Sequence, residues 1–250
     1  MSSLPWFFFV LTAVPVLGIP AVTLTVIHRG ALANGAARRT AVATTSISAV
    51  FAGAWMAVVW WAAASGTLAR ATVLLPIAVG VWLVAVLAWS LTPGVKTALR
   101  APGATSFLIA PQTLRLAGVI FLLAMVLGRL PWLFALPAGI GDIAVGVAAP
   151  FVSRRVARGA IRGVIWFNVL GLLDLVVALA LGALTGLSEA ARLIPTTPSS
   201  AELTLLPLVL IPTTAVPLAI ALHIVDLGAF SRLMRGRAAE LGRDPVVQYE

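Results

Sequence analysis

Cysteine is absent from the chain, which excludes disulfides, thiolate zinc sites and iron–sulfur clusters. Histidine is nearly absent too. His28 and His223 stand far apart, so a metal site would have to be built mostly from carboxylates, and none is expected. Lys96 is the single lysine. None therefore falls in the last apolar segment, so no retinal Schiff base can form there. The chain also contains no Gly-rich phosphate loop, no G-x-S-x-G elbow and no H-E-x-x-H helix. No nucleophile–base pair can be assembled, and the residues name no cofactor.

Charge is the next scarcity. Charged residues make up 10% of the chain and hydrophobic ones 61%, where soluble domains carry about 25% charged residues. The mean hydropathy is +1.07. A soluble core of this length needs far less apolar surface, so the expected solvent is lipid and the expected surroundings are membrane lipids. The net charge of +9 does not point to nucleic acid, because the arginines lie in short loops between apolar segments. There they report orientation and headgroup contact. The preponderance of arginine over lysine, with abundant alanine, reads as a GC-rich bacterial coding bias. The expected location is a bacterial inner membrane, crossed several times.

Seven apolar segments are expected as transmembrane helices, over about 4–27, 41–64, 72–91, 114–128, 132–151, 163–186 and 203–230, each compared with the roughly 20 residues a span needs. The fold class expected is therefore all-α, one polytopic domain over 1–230 followed by a basic tail over 231–250. The first segment lacks a basic n-region and exceeds the length of a signal h-region. Although Ala31-Leu32-Ala33 resembles a signal-peptidase site, it reads as an uncleaved helix bent by Pro15 and Pro20. The fourth segment is short, and either borrows length from the preceding SFLIAPQ or lies where the bilayer thins.

Orientation follows from the basic residues. Arg29, Arg38, Arg39, Lys96, Arg100, Arg154, Arg155, Arg158, Arg162, Arg232, Arg235, Arg237 and Arg243 fall on one side of a seven-helix plan, against Arg70, Arg129 and Arg192 on the other. The positive-inside rule then places the amino terminus outside and the carboxyl terminus in the cytoplasm. Residues 187–202, with Glu189 and Glu202, form an external loop.

Three of the eight acids, Asp142, Asp174 and Asp226, fall inside apolar segments. A charge at the bilayer centre costs about 2.5–3.5 kcal/mol on insertion scales, so such residues need a reason to be there. By helical rise, Asp142 lies about 15 Å from one face and Asp174 about 16 Å from the other, near the middle of a core about 30 Å thick. Gly139, Asp142 and Gly146 share one helical face, and Gly171, Asp174, Ala178 and Gly182 share another. Such small-residue stripes turn towards neighbouring helices. Two carboxylates at one depth can share a proton, or serve only as interhelical hydrogen-bonding glue.

A second polar layer is expected nearer the cytoplasm: His223 and Asp226 on one face of the last helix, Asn168 in the sixth, and Arg115 at the start of the fourth. An Arg115–Asp226 ion pair would neutralise both charges, with Asn168 and His223 completing a network. Pro207, Pro212 and Pro217 should interrupt the last helix. Broken helices at membrane depth occur where they are buried or line a cavity. Trp55 and Trp82 lie deeper than an interfacial belt.

The functional expectation is a membrane protein whose polar core (Asp142, Asp174, His223, Asp226, Asn168 and Arg115) binds or transports a small ligand or protons. The rival expectation is a non-transporting accessory, assembly or sensory subunit, whose polar residues pack helices or recognise a partner protein. A homo-oligomer would serve either.

Overall fold

The structure is a computed structural model that describes residues 4–101, 103–160, 163–186 and 193–241. Every element among them is helical. In chain order these are α1 (Phe7–Ala33), α2 (Arg38–Ala64), the single turn α3 (Thr67–Arg70), α4 (Leu74–Ser90), α5 (Pro93–Ala98) and α6 (Ala104–Ile109). A 3-10 segment, Ala110–Gly118, joins α6 to α7 (Val119–Val126). Then come α8 (Trp132–Ala157), α9 (Val164–Gly186), a 3-10 turn at Ser200–Thr204, a π-turn at Ile211–Ala215, and α10 (Val216–Leu241).

Among the described residues, six stretches are long and apolar enough to cross a bilayer: Phe7–Ala33, Arg38–Ala64, Ala104–Val126, Trp132–Ala157, Val164–Gly186 and Ile211–Arg232. The molecule thus has the architecture of a multi-pass helical membrane protein. The expected third span is α4. It has 17 residues, which a rise of 1.5 Å per residue makes about 25 Å long, short of a core of about 30 Å.

Two expected boundaries move. The short fourth segment gains its missing length from the residues before it, because α6, the 3-10 segment and α7 run on as one rod, Ala104–Val126. Arg115 is therefore near the middle of a span and not at its start. The tighter 3-10 coil, rising about 2 Å per residue, puts it about 20 Å along the rod. The last segment is not one helix over 203–230. Prolines at 207, 212 and 217 deny it successive backbone donors, so regular α-helix begins only at Val216 and then continues past 230 to Leu241. Glu189, Arg162, Arg192 and Arg243 lie outside the described residues.

Turn chemistry explains where the helices stop. After α7 and α8, Gly128 and Gly159 adopt positive φ. The amide of the next residue then bonds back to the last helical turn, Arg129 N to Ala124 O and Ala160 N to Arg155 O, which is a Schellman closure. Tight turns of this kind stack α8 and α9 as antiparallel neighbours. The rod Ala104–Val126 packs along α8, while α10 packs against α4, α6 and α9. The rod and α10 are the most enclosed spans and α2 the most exposed.

Candidate functional site

Arg115 is the centre of the polar core. It is 4% exposed, held in the 3-10 part of the rod, and reaches between α8 and α9. Its Nε donates to Asp142 Oδ1 at 2.7 Å, and its Nη2 donates to Asp174 Oδ2. Its Nη1 donates to the Gly171 carbonyl at 3.4 Å and faces His223 Nε2 at 3.3 Å. A buried cation is tolerable only when its donors are satisfied and its charge is met, and here every guanidinium nitrogen has a partner.

The network continues from there. Arginine only donates, so His223 Nε2 accepts, and the ring's other nitrogen donates to Asn168 Oδ1 at 2.7 Å. Asn168 Nδ2 donates in turn to Asp226 Oδ2 at 2.7 Å and to Val164 O at 2.9 Å. Hydrogen bonds thus run in one direction, from Arg115 through His223 and Asn168 to Asp226. The chain ends at Asp226, which is buried and has the Thr105 side chain beside it.

All six expected residues therefore belong to one connected cluster, although not with the expected pairing. Arg115 does not pair with Asp226. It bridges Asp142 and Asp174, because the rod begins about ten residues before the apolar run visible in the sequence, which moves Arg115 to the depth of the two carboxylates. Asp226 is left to Asn168. The two expected layers are one.

Two glycines make this convergence sterically feasible: Gly171, which belongs to the expected small-residue stripe, and Gly141, which the sequence reading did not single out. A Cβ built on Gly141 would lie 1.7 Å from Asp174 Oδ1, so only glycine lets that carboxylate rest against α8. A Cβ on Gly171 would lie 2.5 Å from His223 Nε2. The signal for Gly141 was its position directly before Asp142, one step round from the stripe that drew attention.

A cavity of about 200 Å³ opens from Asp142 towards the end of the molecule that holds Thr72, Gly186 and Ser200. Among the described residues lining it, Asp142 is the one that is charged. Both carboxylates keep some exposure, 13% for the Asp142 side chain and 16% for Asp174 against 3% for Arg115. The wall beside α10 is the π-turn, through Ile211 and Pro212. Its freed carbonyls are met by two indoles: Trp55 Nε1 donates to Thr213 O at 2.8 Å and Trp82 Nε1 to Thr214 O at 3.2 Å. The residue that would serve Thr213 O in a regular helix is Pro217, which has no N–H. The far end of the cavity is covered by the Ser200–Thr204 turn. Thr185 and Ser200 share a hydroxyl hydrogen bond of 2.7 Å, and Arg129 pairs with Glu202 at 2.5 Å.

Among the described residues, no group of three or more His, Asp and Glu side chains is placed to hold a metal. The donors that do converge suit protons, hydrogen-bond donors and monovalent cations. Two carboxylates face one guanidinium, so the Arg115–Asp142–Asp174 group carries one formal negative charge when both are ionised and none when they share a proton.

No curated protein and no solved structure matches the chain. One family model does, described as a domain of unknown function (DUF8737), and it covers residues 70–234. That stretch runs from the end of α3 through most of α10 and includes every member of the polar cluster. The chain belongs to the DUF8737 family of domains of unknown function.

Proposed function

We propose that the protein crosses a bacterial inner membrane seven times, amino terminus outside, and that its polar core binds a small ligand or protons and passes them across. The observation that carries this reading is Arg115 held between Asp174 and Asp142, the latter lining a cavity, with a hydrogen-bonded chain leading on to Asp226. Helix packing alone would be served by fully enclosed partners. A carboxylate left partly open to a cavity is a feature of binding.

In this reading Asp142 receives the ligand or proton, Arg115 fixes the geometry of both carboxylates, and Asp174 holds the balancing charge. His223, Asn168 and Asp226 carry the polar path towards the basic, cytoplasmic end. Prolines 207, 212 and 217 keep the backbone open beside the cavity, in a form that transporters use for their sites.

The test is proton movement into liposomes that contain the purified protein and an internal pH dye, under an imposed membrane potential. Wild type is expected to acidify the lumen, and Asp142→Asn and Asp174→Asn to be silent while retaining the wild-type thermal transition. Equal flux from both variants would sink the reading. Variants that no longer fold would instead assign the aspartates to helix packing.

A further inference from the structure

The cavity above Asp142 is bounded by α4 on one side and α9 on the other, and these two helices do not pack extensively on each other. Each packs on α10. The space between them is walled by Leu75 and Val79 of α4 and by Leu175 and Leu179 of α9. On the outer faces of the same helices, Ile77 and Val176 are exposed, at 52% and 55%. In a bilayer those faces lie against acyl chains, so an opening between them would face lipid. At the inner end of this apolar slot stands Asp142, with Oδ1 already committed to Arg115 Nε.

We propose that the slot takes a membrane-dissolved amphiphile with a cationic ammonium head, which enters between α4 and α9 and sets its head against Asp142. This rests on the proposed binding role of the Arg115–Asp142–Asp174 group and names its ligand class. The charge count selects the head. With both carboxylates ionised against one guanidinium the group carries a single negative charge, which one ammonium group neutralises. An anionic head would meet a carboxylate at the floor and would be repelled. A neutral head would leave the excess charge unmatched in a medium where unpaired charge is costly. The walls select the tail, since the slot offers alkyl and aromatic surface from Leu75 to Phe134 and few polar groups before Asp142.

The experiment uses the full chain in phosphatidylcholine nanodiscs, with empty discs as the partition background and dodecyltrimethylammonium as probe. Its permanent charge keeps the head cationic at every pH. Expected is saturable binding of one probe per protein, weakened about thirtyfold or more in Asp142→Asn, the factor for removing one partner of a desolvated charge pair. Ala183→Trp should also abolish it. Ala183 lines the slot and belongs to no part of the polar cluster, so this variant carries the test where Asp142→Asn fails to fold. Tetramethylammonium, which has the head without the tail, should not bind.

Tetramethylammonium binding as tightly as the long-chain probe would overturn lateral access. Dodecyl sulfate binding equally well would overturn selection by charge, and probe binding that survives both substitutions would place the ligand elsewhere. Absence of any binding, alongside proton flux that still depends on Asp142, would overturn this inference and leave the proposed function standing.

Discussion

Arg115 offers its donors in a rigid planar fork, and the two carboxylates, a carbonyl and an imidazole occupy all three of its nitrogens. Arg115→Leu should cost about 3–5 kcal/mol, because it strands two carboxylates in a low-dielectric interior. Adding Asp142→Asn and Asp174→Asn to that variant should restore most of the loss. Equilibrium unfolding in mixed micelles measures both, and a single variant as stable as wild type would show that the cation does not hold the site together. Gly141→Ala tests the same group from another side. The added methyl occupies the place of Asp174 Oδ1, so a loss of about 1–3 kcal/mol from overpacking is expected, together with loss of proton flux in liposomes. Flux retained in that variant would show that the seat of Asp174 against α8 is not needed. At this scale the sequence exposed the charges but not their partners. A carboxylate in an apolar run is visible by contrast alone. The pairing of Arg115 depended on where its helix begins, and the polar residues Thr105, Ser106 and Gln112 masked the first half of that span.

The broken passage before α10 shows how elements supply each other's missing groups. Three prolines at five-residue spacing announce that no regular helix can persist through 207–217. They do not announce what replaces its hydrogen bonds. The replacement comes from Trp55, 158 residues earlier in the chain, and from Trp82, whose rings stack in parallel with centroids 5.1 Å apart. A long-range cap of this kind leaves no local trace in the sequence. Trp55→Phe keeps the stacking surface and removes the donor, so the buried Thr213 carbonyl loses its partner. An expected loss of about 1–3 kcal/mol follows. Unchanged unfolding of Trp55→Phe would mean that water or the π-turn itself satisfies the carbonyl.

Across the whole molecule, the one quantity on which composition and geometry differ is the number of crossings. Among the described residues six stretches qualify by length and hydropathy, and an even number would return both termini to one side. The proposed seven-helix plan has α4 cross as well, which puts Lys96 and Arg100 on the opposite side from Arg70. A helix of 17 residues can cross where the bilayer thins around it, at a cost of fractions of a kcal/mol per Å of mismatch. The turn α5 and the single turn α3 flank it closely enough to take up part of the deficit at each end. Because the chain has no cysteine, the alternatives separate cleanly with single introduced thiols. Ser65→Cys lies before α4 and Lys96→Cys after it. With a membrane-impermeant maleimide applied to whole cells, Ser65→Cys should be labelled and Lys96→Cys only after the membrane is opened. Labelling of both from the same side would remove α4 from the crossings. The termini would then share a side, and the cavity between α4 and α9 would no longer be walled on both sides by spanning helices.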